Sequence, residues 1–336
     1  MQNYSIKKIS EVDNNQLFEF YKATFKNRHK SLISNLKWWY RIGYNESEPI
    51  VITIEDKLIG HAGLIPVNLS VEGSKKSAIW FTDLVILPEF QNKGFGQILT
   101  KEWMKICPTH ITFCNNKSLK VFKKHGWQNN LDTKRFIKPI NYFKITPVIN
   151  KLGINFGDTV IRELFKKRIN VKTTIEPQII DEKIILNLAK IEKKTNVNLG
   201  VKIIRDEEWF NWRLIECPFK KEFFLFENNN NYLIAHIFSL NNLKRLNIIY
   251  FHSEKSDSDI LELVFKWSLE NDIDFIWYIN NIKNKSTGDR KFAFSHKKSL
   301  NFAFNSLDKN ILNSLKKGIS NSQGIDSDID SIIHEG

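Results

Sequence analysis

The chain has 336 residues, of which 42% are hydrophobic and 12% aromatic, a composition that indicates folded globular domains. Its net charge of +13 comes from lysine pairs scattered along the sequence, so it suits anionic small ligands better than nucleic acid, which a dense basic stripe would favour. No stretch is long and apolar enough to span a membrane, and the three cysteines lack the spacing of a disulfide framework or a metal site, so a cytoplasmic protein without a metal is expected.

The first predicted elements are a strand at Tyr4–Ile9 and an amphipathic helix from Asp13 to Lys30, whose apolar residues recur at helical spacing. An aromatic stretch, Leu36–Tyr44, follows and contains Trp39 and Arg41. Aromatic and arginine side chains in this density fit either a hydrophobic core or a platform that binds a sugar or a base.

The next predicted elements are a hairpin, Ile50–Glu55 and Leu58–Pro66, which carries His61, and a strand from Ala78 to Leu87. The only charged residue of that strand is Asp83. Because burying an unpaired carboxylate is costly, Asp83 must either be paired or take part in a reaction.

A short polar loop with Gly94 and Gly96 follows this strand, and a helical pattern begins at once. Such a loop directs several backbone N–H groups at one point next to a helix N-terminus, which favours a phosphate or a diphosphate. The spacing excludes the dinucleotide fingerprint and the P-loop, because position 99 is leucine and Gly96 is followed by Gln97 rather than lysine.

The Gln-x-x-Gly-x-Gly pattern of residues 91–96 resembles the acyl-CoA-binding motif of the GNAT superfamily of N-acyltransferases. A second GNAT signature follows at a helix-length separation, with its anchors at Asn115, Ser118, Val121, Phe122, Gly126 and Trp127. The resemblance implies a GNAT fold for the first half and acetyl-CoA or a longer acyl-CoA as co-substrate. The residues implied to contact the coenzyme are Val85, Leu87, Gln91, Asn92, Lys93, Gly94, Phe95, Gly96, Asn115, Ser118 and Phe122.

The second half repeats the order of the first. Trp212 and Arg213 precede a strand at Phe223–Glu227, an asparagine-rich turn and a strand that carries His236. We interpret this as a degenerate second GNAT-like unit. Its counterpart of the phosphate loop, His252–Asp259, has carboxylates and no glycine, so the second unit is not expected to bind CoA.

The predicted fold class is therefore α+β, with two GNAT-like units, each a twisted mixed β-sheet flanked by helices. The expected divisions are a catalytic domain at residues 1–146, a linker and helix at 147–170, a degenerate domain at 171–320 that builds the acceptor pocket or an interface, and a polar acidic tail at 321–336. Assembly of the chain into a homo-oligomer is compatible with the sequence.

Asp83 is the first candidate for the base, or for the residue that orients the amine, since the matching strand of the second half, Leu246–Tyr250, has no carboxylate. His61 is the second candidate, weakened by an assumed counterpart, His236, in the half expected to be inert. The resemblance implies that the backbone N–H near Val85 stabilises the oxyanion. Many GNAT enzymes have tyrosine at the position of Phe122, so here another group or water protonates the thiolate, or it leaves unprotonated.

The two-unit arrangement resembles sugar N-acyltransferases that modify dTDP- or UDP-linked amino sugars for surface polysaccharides such as lipopolysaccharide O-antigen. The residues assigned to this acceptor are Trp39, Arg41, Asp83, Trp212 and Arg213, because arginine binds diphosphate and aromatic faces stack on a base.

An acetyltransferase acting on a protein or a small polyamine is the alternative enzyme, and it predicts an acidic groove. A CoA-binding interaction module without catalysis is the non-enzymatic alternative. An aminoacyl-tRNA-dependent ligase is disfavoured by the intact loop at 91–96.

Overall fold

The computed structural model describes residues 3–25, 28–141, 175–194, 200–218, 222–240, 242–253, 258–281, 296–319 and 322–326. The linker and helix predicted at 147–170 and most of the tail lie outside these residues. Every structural statement below concerns the described part of the chain.

The first half forms one mixed sheet with helices on both faces. Its strands are β1 Tyr4–Lys8, β2 Ile50–Ile54, β3 Lys57–Val71, β4 Ser74–Ile86, β5 Thr109–Cys114 and β6 Gln128–Asn130. Its helices are α1 Asn14–Phe25, α2 His29–Ser34, α3 Leu36–Trp39, α4 Phe95–Trp103 and α5 Asn116–Lys124. The predicted hairpin is confirmed, and β3 extends beyond Pro66, where the sequence pattern ended this strand, to Val71.

The second half forms another mixed sheet. Its strands after β7 Thr133–Pro139 are β8 Gln178–Ile179, β10 Phe223–Asn228, β11 Asn231–Leu240, β12 Leu243–His252, β13 Phe275–Asn281 and β14 His296–Ser299, while β9 Val201–Ile203 pairs with β3. Its helices are α6 Glu182–Lys194, α7 Glu207–Phe210, which continues as a π-helical turn at Asn211–Ile215, and α8 Ser258–Glu270. Strand β15 Asn301–Ser306 and helix α9 Lys309–Lys317 follow.

The two sheets exchange β7 and β15, and the first sheet also takes up β9 from the second half. The first sheet runs β1-β2-β3-β4-β5-β15-β6, and the second runs β8-β10-β11-β12-β13-β7-β14. The orders correspond position by position, with β15 and β7 each inserted into the other unit's sheet. This correspondence confirms two units of the same topology, and the exchange ties them together through backbone hydrogen bonds.

Two expectations are corrected by the strand pairing. The sequence pattern at Phe136–Ile140 predicts a strand that closes the first unit. This strand forms as part of β7, but it pairs with β13 and β14 in the second sheet. His61 and His236 are not equivalent. Counted from the turn of each hairpin, the fourth residue pair contains His61 in the first unit and Ile234 in the second, so His61 corresponds to Ile234. Bulges in β3 and β4 change the number of residues between equivalent positions of the two units, so the comparison of the two halves of the sequence matched His61 with the wrong residue.

Candidate active site

Strands β4 and β5 separate in the middle of the first sheet. They pair in parallel only at Ile79–His110 and Trp80–Ile111. At the point of separation, Thr112 Oγ1 donates a hydrogen bond to Phe81 O at 2.6 Å. Beyond it, β4 runs on to Ile86 with no described strand paired on that side, which leaves a wedge-shaped opening between the two strands.

The backbone of Ile86 faces this opening. Leu87 N–H donates to Ile59 O across β3 at 2.9 Å, and N–H groups alternate sides along a strand. The same alternation turns the N–H of Val85 toward β3, although the sequence assigned it to the oxyanion. Leu87 is buried and contributes to the core cluster that the two units share.

The phosphate loop ends at the N-terminus of α4. Gly94 is the residue before the helix and has a φ of 89°, and Asn92 has a φ of 62°. The N–H groups of Phe95 and Gly96 lie in the first helical turn, where no intrahelical acceptor exists. A Cβ added at Gly96 would have one neighbour within 4 Å, Ile86 Cγ1 at 3.9 Å, so the loop surface is open there.

Gln91 holds this loop in place. Its side-chain Nε2 donates to Ile86 O at 2.9 Å, and its backbone N–H donates to Pro88 O at 3.2 Å. The donors that remain for a ligand therefore come from the residues after it, with the positive charge of Lys93 close by.

The second motif builds α5. Asn115 Oδ1 accepts the backbone N–H groups of Lys117 and Ser118, both at 2.9 Å, as a helix N-cap. Phe122 is buried and stacks on Trp127, with ring centroids 4.7 Å apart. These contacts show that Asn115 caps the helix and that Phe122 packs in its core.

Asp83 lies at a bulge of β4 with a φ of 50°, where the register with β3 shifts. Its Oδ2 accepts hydrogen bonds from Tyr40 OH at 2.9 Å and Trp39 Nε1 at 3.2 Å. Its Oδ1 lies 3.5 Å from Nη2 of Arg28, and its side chain is 4% exposed. Asp83 is therefore a paired carboxylate, with Oδ1 held less tightly than Oδ2.

His61 is buried beside this carboxylate. Its Nδ1 lies 3.1 Å from Asp83 O, and its Nε2 lies 3.0 Å from Tyr21 OH. A carbonyl only accepts, so Nδ1 carries the proton and Nε2 accepts from the hydroxyl. Burial lowers the pKa of His61 although the Asp83 carbonyl opposes this, and burial raises the pKa of both tyrosine hydroxyls. The imidazole is therefore neutral with both nitrogens occupied.

The sequence analysis did not identify three residues of this network: Tyr21, Arg28 and Tyr40. Tyr21 shows there only as a core residue of a helix, and Arg28 has no distinguishing pattern. Tyr40 lies in the aromatic stretch, but nothing in the spacing indicates that its hydroxyl reaches a carboxylate 43 positions away.

The residues assigned to the acceptor divide into two groups. Trp39 is next to Asp83. Arg41 instead stacks on the ring of Tyr44 at 3.7 Å and of Trp212 at 4.7 Å, and it donates to Glu208 Oε1 at 3.1 Å. Arg213 is buried beside Trp38, Trp39 and Trp212. These aromatic and arginine side chains therefore pack between the two units.

The described residues also bear on a cysteine nucleophile, a metal site and a membrane-spanning helix. Burial raises the pKa of the Cys114 thiol to about 12, so this thiol is not a nucleophile at neutral pH. The described part of the chain contains no group of three or more histidine, cysteine or acidic residues placed to hold a metal ion. None of its helices is both long enough and apolar enough to cross a bilayer.

Residues 14–127, which contain the opening, the loop and α5, match the acetyltransferase (GNAT) family. This part of the chain is similar to GNAT acetyltransferase domains. No curated protein matches the sequence. The GNAT match and the fold together support an acyl-CoA-dependent N-acyltransferase.

Solved structures extend the likeness to both units. Saccharomyces cerevisiae N-myristoyltransferase with bound myristoyl-CoA superimposes with a TM-score of 0.60 and 11% identity, over 90% of this chain and 82% of that chain. A GCN5-related N-acetyltransferase from Anabaena variabilis gives a TM-score of 0.59 and 11% identity, over 90% and 72%. A probable N-acyltransferase from Enterococcus faecalis gives 0.58 and 9%, over 93% and 75%. At these identities the likeness shows the shared fold.

Proposed function

We propose that the first unit transfers an acyl group from acyl-CoA to a primary amine by direct attack in a ternary complex. The observation that carries this proposal is the opening between β4 and β5, which leads directly to the loop before α4. The loop amides and the helix N-terminus suit the coenzyme's diphosphate, and the N–H of Ile86, which points away from β3, suits pairing with the extended pantetheine arm.

We infer that Asp83 orients the amine and takes its proton. Among the described residues, its Oδ1 contacts only Arg28, at 3.5 Å, so it retains the capacity to accept an N–H from a substrate. The amine nitrogen attacks the thioester carbon, backbone N–H groups at the opening stabilise the oxyanion, and the C–S bond breaks. The coenzyme leaves as a thiolate, because position 122 is phenylalanine and supplies no hydroxyl proton.

For the acceptor we propose a nucleotide-linked amino sugar, dTDP- or UDP-bound, made for a surface polysaccharide. The net charge of +13 and the two-unit architecture support this choice. Arg41 and Arg213 no longer support it, because their contacts are between the units. Arg28, with 21% of its side chain exposed next to Asp83, is the cation best placed to meet an anionic acceptor.

A cationic acceptor is the rival. A groove of about 730 Å³ between α1 and the β2–β3 turn is lined by Glu19, Glu55, Asp56 and Glu89, which would suit a polyamine or a lysine-rich peptide. Three of these carboxylates are already paired with lysines, at Lys22, Lys7 and Lys57. The groove therefore offers little uncompensated negative charge, and we retain the nucleotide sugar as the first acceptor.

The test is thiol release by the full chain with acetyl-CoA and longer acyl-CoAs, across dTDP- and UDP-amino sugars, spermidine and a lysine peptide. The proposal expects release with an amino sugar. Gly96→Asp should abolish it by placing a carboxylate at the phosphate loop, whereas the isosteric neutral control Gly96→Asn should retain most of it. Release with spermidine or the peptide alone would transfer the assignment to the rival, and CoA binding without release with any amine would leave a binding module.

A further inference from the structure

The second unit has its own counterpart of the open wedge. Strands β12 and β13 pair in parallel up to Ile248 and Tyr278, as β4 and β5 do up to Trp80 and Ile111. In the first unit the edge of β4 beyond this point is open. In the second unit residues 322–326 pack against both β12 and β13.

The register identifies the matching position on the edge. His61 and Ile234 are equivalent in their hairpins, and each lies next to a bulge. Their partners on the following strand are Val85 and Tyr250. The next residues, Ile86 and Phe251, are therefore also equivalent, and both present their backbone to the wedge.

The side chain of Gln323 makes two hydrogen bonds with the backbone of Phe251. Its side-chain Oε1 accepts the N–H of Phe251 at 2.9 Å, and its Nε2 donates to the carbonyl oxygen of Phe251 at 2.7 Å. A primary amide thus makes both hydrogen bonds that a paired strand would make. In the first unit we assign this kind of pairing to the amide groups of pantetheine.

Asp326 fixes the segment from the other side. Its two carboxylate oxygens accept from Nε and Nη2 of Arg205, at 2.8 and 2.6 Å, and both side chains are fully buried. Arg205 also donates to Glu192 Oε1 at 3.0 Å. A bidentate ion pair in this setting is geometrically demanding, and it requires the carboxylate to stay in place.

Before it reaches the wedge, the chain passes close to the backbone of Gly200 at Gly318. A Cβ added at Gly200 would lie 2.9 Å from Gly318 O, so the two backbones can meet only at glycine. Ile319 then forms a bridge with Val201, and Ser322 Oγ lies 2.8 Å from Thr133 Oγ1. The sequence predicted a polar tail from residue 321, but 322–326 is buried.

We propose that residues 322–326 are a built-in ligand of the second unit's wedge. The segment uses main-chain pairing at Phe251 and a carboxylate clamp at Arg205, and it excludes an acyl-CoA from that wedge. The chain accordingly binds one coenzyme, in the first unit. The inference rests on the proposed function only in calling the first wedge the coenzyme site.

The experiment measures hydrogen–deuterium exchange at the amide of Phe251 in the full chain. Gln323→Ala removes both side-chain hydrogen bonds to the backbone of Phe251, and Asp326→Asn removes the charge in the clamp. We expect at least tenfold faster exchange at Phe251 in each variant that keeps its fold. The control, Asp272→Asn, removes an exposed carboxylate from a turn of the same unit and should leave this exchange unchanged.

Two results would overturn the inference: the same exchange at Phe251 in Gln323→Ala as in the unmodified chain, or two CoA molecules bound per chain in calorimetry. If the Asp326→Asn variant does not fold, Gln323→Ala decides alone. If the unmodified chain binds no CoA, the proposed function fails, and the exchange at Phe251 still decides whether the segment occupies the wedge.

Discussion

Trp38 and Trp212 each donate the indole N–H to the backbone carbonyl oxygen of the other, at 2.7 and 2.8 Å. Trp38 belongs to α3 of the first unit, and Trp212 to the π-helical turn at the corresponding place in the second. Arg41 lies over Trp212, and Arg213 lies over Trp38. The two units therefore meet through a reciprocal contact in which each contributes a tryptophan and an arginine.

The first prediction concerns this reciprocal pair. Trp38→Phe and Trp212→Phe each remove one indole donor from this contact, together with part of the ring packing, so each should lower the free energy of unfolding by about 1–3 kcal/mol. Because the two bonds share one contact, the double variant should lose less than the sum. Denaturant unfolding measures this, with Trp267→Phe, which removes an indole away from the interface, as the control.

The second prediction separates interface from acceptor site. Arg41→Gln removes the stacking on Tyr44 and the bond to Glu208, so it should lower the free energy of unfolding by roughly 2–3 kcal/mol and leave the acceptor KM unchanged. Arg28→Gln should do the reverse, raising KM or lowering kcat with little change in stability. A large rise in acceptor KM for Arg41→Gln in folded protein would return Arg41 to the acceptor site.

Much of this fold was accessible from the sequence, because strand and helix periodicity, a glycine loop and the N-cap at Asn115 are local signals. The exchange of β7 and β15 was not, because periodicity predicts a strand without its partner. The equivalence of His61 with Ile234 was hidden by bulges that shift sequence spacing without changing the sheet order.

The site was predicted in part for the same reason. Asp83 stood out because a lone carboxylate in an apolar strand needs partners, and it has them. Arg41 and Arg213 were assigned to a ligand because stacking on aromatics looks alike in a pocket and in an interface. Asp326 was placed in a polar tail because its partner, Arg205, is 121 positions away.

The third prediction concerns the tyrosine that holds Asp83. A Cβ at Gly63 would lie 2.5 Å from Cε1 of Tyr40, so Gly63→Ala must displace the ring that bonds Asp83. Gly63→Ala and Tyr40→Phe should each lower kcat by about tenfold and leave CoA affinity intact, since the loop is unaffected. Tyr4→Phe, on the exposed strand β1, is the control. Unchanged kcat in both variants would remove this contact from the mechanism.

The fourth prediction concerns acid sensitivity. His110 is buried against Trp127, its Nε2–H donates to Met104 O, and burial lowers its pKa to about 4. Since the folded pKa lies below the unfolded value, the stabilisation is complete above pH 6.5 and is lost as pH falls toward 4. The loss should be on the order of 3 kcal/mol and absent in His110→Gln. Unfolding curves from pH 7 to 4 measure it, with His125→Gln as the control.

The most direct measurement is a crystal structure of the full chain with bound acyl-CoA. The account predicts one coenzyme, its diphosphate on the amides of residues 92–96, its pantetheine arm beside Ile86 and its thioester near Asp83, with residues 322–326 unmoved. A coenzyme bound elsewhere, or an empty loop at a concentration that supports thiol release, would contradict it.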